Sequence, residues 1–287
     1  RRGRFVGQSD SLLEPSEENV ANAIAANVVS LETGLGKAHA VCLEGRIYLA
    51  SRHLFFGGSL SVNVGDQIQL DGDSLLFSRK FKEVITVTDE GDYHRDWVVF
   101  EAPKTFPEKR GVHRYMIRES AFGLPRSFEK AHLVGPDGFK HVGRSDYLGR
   151  FLELGRTRAN LPIACYSSYV YDPQEAGTCM LPLLKPDKGN GQVIVGFHGL
   201  RWTKKNKGIA LAASYADITD IIAIIKDQDD AGVVFPEIGM YEPKEISPGL
   251  DYLGLIPKSI DGQQLIPARY QTKSHKVPNE YMKDHPL

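Results

Sequence analysis

The hexapeptide Glu175-Ala176-Gly177-Thr178-Cys179-Met180 places a thiol after a glycine, at a turn leading into the apolar run 180–184. Such a turn can hold a sulfur exposed, and the glycine lets the preceding N–H groups converge on one point. Donors so placed form an oxyanion hole, here from Gly177, Thr178 and Cys179; removing one typically costs ~10²–10³ in rate. Cys42 alternates with apolar neighbours and Cys165 follows Ile163 and Ala164, so both read as small core residues. An ordinary thiol is mostly protonated at neutral pH and needs a base or cation beside it. His53 follows the apolar run 46–50 and is the candidate base. Asp96, just ahead of the apolar run 97–100, is the candidate carboxylate that fixes the imidazole tautomer.

The elements that must position these groups are short and turn-rich. Residues 16–31 read as one helix, with Ser16 as N-cap, Glu17 and Glu18 in the first turn, and Val20, Ile24 and Val28 at helical spacing. β-rich runs follow at 38–43 and 46–50 around a Glu44-Gly45 turn, then at 61–64, 67–70, 82–88 and 97–100. Residues 103–125 read as a connector. Strand-like runs resume at 131–134, 147–154, 163–170, 180–184, 192–196 and 208–213, and 217–226 reads as a short closing helix. The expectation is an all-β chain: two antiparallel barrels, an N-terminal helix and a closing helix. Its divisions are an extension over 1–15, helix and first barrel over 16–110, and a connector over 111–125. The second barrel and closing helix take 126–227, and a C-terminal extension 228–287. Periodicity alone does not separate this layout from a pair of β-sandwiches.

The 287 residues include 41% hydrophobic and 25% charged residues, the range of chains that bury real cores. A formal net charge of −1 supplies no bulk attraction for nucleic acid. No apolar run approaches the ~18 residues a membrane span needs. Three cysteines with no Cys-x-x-Cys pair fit a reducing compartment rather than a disulfide framework. The nine histidines show no zinc-site spacing, so neither metal nor cofactor is expected.

His53, Asp96 and Cys179 occur in the order used by chymotrypsin-like enzymes, with base and acid in the first half and nucleophile in the second. With that order, the chain resembles the 3C-type proteinases of picornaviruses and their insect-virus relatives over about residues 17–226. Ala176-Gly177-Thr178-Cys179 matches the family's nucleophile turn, and Gly196-Phe197-His198 matches the Gly-x-His strand about twenty residues on. The run 208–213 resembles the strand lining the substrate groove.

The resemblance implies a chymotrypsin-like double β-barrel and a cysteine endopeptidase cutting a viral polyprotein, in the host cytoplasm, after Gln or Glu. It makes His198, with Gly196, Gln174 and Tyr171, the substrate-reading group, and Tyr169 or Tyr171 the holder of the second His198 nitrogen. Two departures stand out. Met180 replaces the glycine usual after the nucleophile, and Gln174 stands where many relatives have the threonine that helps grip a glutamine side chain.

The resemblance also raises viral RNA as a partner through Lys109 and Arg110 in the connector, and an RNA-binding scaffold is the rival reading of the whole chain. Residues 265–274 are similar to the N-terminal segment of picorna-like RNA polymerases, so the extension reads either as the start of a downstream polymerase or as a C-terminal extension of the proteinase packed on the barrels. Residues 227–230 would be its linker, and the bonds after Gln228 and Glu237 candidate self-cleavage sites.

Overall fold

The computed structural model describes residues 15–57, 60–77, 80–86, 93–118, 127–148, 152–156, 162–165, 167–172, 178–187, 191–202 and 205–230. Gln174, Gly177, the N-terminal extension to residue 14 and everything from residue 231 lie outside them, as do Glu237 and the polymerase-like run.

The first helix, α1, spans Pro15–Ala25 and stops well short of residue 31. Asn27 ends it: its backbone N–H reaches the Ile24 carbonyl and its side chain donates to the Ala23 carbonyl at 2.8 Å. Asparagine competes for helical carbonyls in this way. The β-branched pair Val28-Val29 then opens β1, Val28–Thr33, instead of continuing a helix.

The first half continues through β2 (Gly36–Glu44), β3 (Ile47–Ser51), β4 (Phe56–Gly57), β5 (Leu60–Ser61), β6 (Gln67–Leu70), β7 (Asp73–Leu76), β8 (Phe81–Thr86) and β9 (Tyr93–Glu101). The second half holds β10 (Ser127–Gly135), β11 (Gly138–Leu148), β12 (Leu152–Arg156), β13 (Pro162–Cys165), β14 (Ser168–Tyr171), β15 (Pro182–Asp187), β16 (Gly191–Trp202) and β17 (Lys207–Ala212). The connector carries a 3₁₀ turn at His113–Tyr115.

The expected double antiparallel barrel is the architecture found. β10-β11-β14-β17-β16-β15 close into a barrel around Leu133, Tyr169, Tyr171, Leu183 and Ala210. The first half is a curved sheet around Tyr48, Phe55, Phe77, Phe81 and Phe100, with a contact at 4.7 Å between Phe77 and Phe81 bridging the ends of β7 and β8. β12 and β13, although they belong to the second half in sequence, extend that first sheet. β13 runs parallel to β9 at Ile163↔His94, beyond the stretch of β9 paired with β3.

A third apolar cluster lies between the barrels and under both helices. Trp97 of β9 meets Phe197 of β16 edge-on there, ring centroids 6.0 Å apart. The contact sets Asp96 and His198, each one residue along, on adjoining strands of the two barrels. The helices cross over. α1, next to the first barrel in sequence, packs on β10, β11, β15 and β16, whereas the closing helix α2, Tyr215–Asp230, packs on β2, β8 and β9.

Ser214 caps α2 in a reciprocal box: the Asp217 N–H donates to Ser214 Oγ, and the Ser214 N–H to the Asp217 carboxylate at 2.8 Å. Residues 227–230 are helical and continue α2, so the polar run Asp227-Gln228-Asp229-Asp230 is a last turn of helix and not the expected linker. No helix of the described residues is long and apolar enough to cross a membrane.

Candidate active site

Strand register brings His53 to Asp96. β3 pairs with β9 through Ser51↔Trp97, so the chain leaving β3 passes over residues 95 and 96. It turns at once into a 3₁₀ turn, Arg52–Leu54, which lifts His53 off the sheet edge. His53 Nδ1 lies 2.9 Å from Asp96 Oδ2, with the carboxylate side chain only 3% exposed. Asp96 is inside β9 rather than ahead of it, because the strand starts at Tyr93. Burial by itself pushes the imidazole down. The charge and hydrogen bond of Asp96, with a hydrogen bond to Cys179, outweigh that and hold His53 well above its ordinary value.

Cys179 comes from the other barrel. The Leu181 N–H donates to the Thr178 carbonyl at 3.2 Å, closing a four-residue turn with Cys179 second and Met180 third. Met180 has φ of +72°, the pattern a type II turn demands at its third position and one that glycine adopts without strain. The turn is pinned to β16 by Met180 N–H to the His198 carbonyl at 2.6 Å and His198 N–H to the Leu181 carbonyl at 2.8 Å. Cys179 Sγ, partly exposed, lies 3.6 Å from the Gly199 carbonyl. The Cys42 thiol is fully buried and is pushed up to about 12 mainly by that burial. Cys165 falls on β13. Thr178 opens the turn that carries the thiol, its carbonyl accepting from the Leu181 N–H.

The Met180 side chain is wholly buried in the cluster between the barrels. Met180→Gly would relieve a left-handed backbone worth roughly 1–2 kcal/mol. It would also delete a buried side chain whose loss costs roughly 2–5 kcal/mol. The second effect wins, so this variant is expected to melt several degrees lower; a higher melting temperature would show that the strain is the larger quantity.

His198 is nearly buried on β16, and its Nδ1 pairs with the Tyr171 hydroxyl. Burial pushes His198 down to about 3 and pushes the Tyr171 phenol well up. The tyrosine therefore keeps its proton and donates, Nδ1 accepts, and Nε2 carries the imidazole hydrogen. Of the two tyrosines expected beside His198, the hydrogen bond falls to Tyr171. Glycines on β16 and β17 permit two close approaches here, one of them against the Tyr171 ring. A Cβ on Gly208 would come within 2.6 Å of the Tyr171 ring, and one on Gly196 within 2.4 Å of the Leu211 carbonyl. A register irregularity between His198 and Leu200 follows in β16, the kind of bulge that re-aims side chains beside a site.

In the connector, Lys109 is half-buried and donates to the Ala26 carbonyl at 3.0 Å, while Arg110 is exposed. Sequence reading missed a buried charged group next to the site: Arg52, Glu83 and His94. The last two lie on neighbouring strands, and only the β8–β9 register reveals their approach.

No protein-family profile matches the chain, and neither does any curated protein. Among solved structures the chain is similar to the HRV-C 3C protein with rupintrivir, at 18% identity and a TM-score of 0.49, over 69% of this chain and 97% of that one. It is similar to the tobacco etch virus protease complexed with product, at 15% identity and 0.47, over 76% and 81%. The active form of the Rv3671c protease from M. tuberculosis aligns at 16% identity and 0.46, over 78% and 89%.

Proposed function

We propose that the chain is a cysteine endopeptidase that processes a viral polyprotein through a thioester acyl-enzyme, cutting after Gln or Glu. The observation that carries the reading is His53 held between Asp96, at 2.9 Å, and Cys179 of the opposite barrel. A raised imidazole beside a thiol favours the thiolate–imidazolium pair, the form that attacks a carbonyl. Sγ of Cys179 adds to the scissile carbonyl carbon while the carbonyl oxygen becomes an oxyanion facing the N–H groups of Gly177, Thr178 and Cys179. The imidazolium of His53 then gives its proton to the leaving amine as the C–N bond breaks. Neutral His53 next takes a proton from water, the hydroxide attacks the thioester, and Cys179 is released.

Asp96→Asn tests the reading. Asp96 holds His53 raised, so the imidazolium adds stability that is fully present below the unfolded value of about 6.5 and is lost as pH rises through the folded value. The variant's stability deficit should be largest in that acid range, and the alkaline limb of its kcat/KM profile should move to lower pH. A thiolate–imidazolium pair forms partly without a third member, so the rate at the optimum should fall about 10–100-fold and not vanish. An unmoved alkaline limb would remove Asp96 from the mechanism.

A further inference from the structure

We infer that Arg52, Glu83 and His94 form a buried brace that positions His53 against Asp96. Glu83 Oε2 accepts from Arg52 Nε and lies 2.9 Å from His94 Nδ1. The three side chains are 2%, 9% and 2% exposed. Each tie reaches a segment that carries the site. Arg52 is the residue before His53 in the same 3₁₀ turn, and its guanidinium also stacks over Phe56 at 4.7 Å. His94 is two residues before Asp96 on β9, hence on the same face of the strand. Glu83 belongs to β8, which pairs with β9 at Glu83↔Val98 and Ile85↔His94. One carboxylate thus joins the turn bearing His53 to the strand bearing Asp96.

Burial tends to raise Glu83, but the His94 hydrogen bond and the Arg52 charge outweigh it and hold the carboxyl below its usual range. A well-packed apolar set usually fills such a volume with equal or better stability. Cohesion alone therefore does not account for a buried ionic cluster here, whereas directional bonds between two site-bearing segments do. The titratable groups that act on His53 are Asp96 and Cys179, so the brace reaches the pH profile through the Asp96 contact that it holds in place.

The brace rests on the reading of His53, Asp96 and Cys179 as catalytic, and Cys179→Ala run in parallel keeps the two ideas separable. If that variant still turns over, the catalytic reading is at fault, whatever Glu83 does. With active sites counted by thiol titration, Glu83→Gln is expected to lower kcat about tenfold or more with KM within about twofold, because only the base is displaced. The alkaline limb of its profile should also shift to lower pH. The paired variant Arg52→Met with Glu83→Leu removes both charges together, should fold, and should keep the kcat loss; it decides alone if Glu83→Gln does not fold. A kcat within about threefold of the parent in folded Glu83→Gln, or full recovery of kcat in the paired variant, would overturn the brace.

Discussion

Cys179→Ala is expected to lower peptide cleavage by about 10³-fold or more, with a melting temperature within a few degrees of the parent. The thiol is partly exposed at a turn fixed by backbone bonds from Leu181, Met180 and His198, none of which uses the sulfur. Its removal leaves the turn standing and no cavity deep in a core. Cys42→Ala is the contrasting case. That thiol is sealed in the first barrel, so its loss should act on stability and hardly on rate. Turnover by Cys179→Ala within tenfold of the parent would sink the nucleophile assignment.

The second large effect is expected at the substrate pocket. Burial pushes His198 down to about 3, and Tyr171 holds its Nδ1, leaving Nε2–H as a donor. A neutral donor suits the amide oxygen of glutamine. A glutamate carboxylate would have to give up water beside a buried, neutral imidazole, which is costly. Glutamine should therefore be preferred over glutamate by about tenfold or more at neutral pH, and His198→Ala should abolish that preference. Profiling a peptide library varied on both sides of the scissile bond, with parent and variant side by side, gives the answer. An unchanged preference and efficiency in His198→Ala would place the pocket elsewhere.

How far these residues could be read from sequence depended on whether the cue was local. Cys179 was legible because glycine and threonine before a lone cysteine make poor core material. The type II geometry that its turn adopts explains why glycine is the easier residue at position 180 and why Met180 must be anchored by burial. His53 could be found from its place after a strand, and Asp96 from chain order, though the start of β9 was misjudged by four residues because Tyr93, His94, Arg95 and Asp96 lack clear alternation. The helix drawn through residue 31 failed at Asn27, where a side chain competing for carbonyls outweighed an apolar spacing that suits helix and strand alike. Nothing local announces that β13 pairs with β9 or that Glu83 meets Arg52 and His94. Both depend on register between segments far apart in the chain.

The central claim, that Cys179 forms the covalent intermediate, is tested most directly by trapping it. Parent protein mixed with a glutamine peptide, quenched in acid within one turnover and analysed by mass spectrometry, should gain the mass of the N-terminal product less one water. Digestion should place that mass on the fragment containing Cys179, and His53→Ala should fail to build it up. An acyl group found on any other residue would contradict the account.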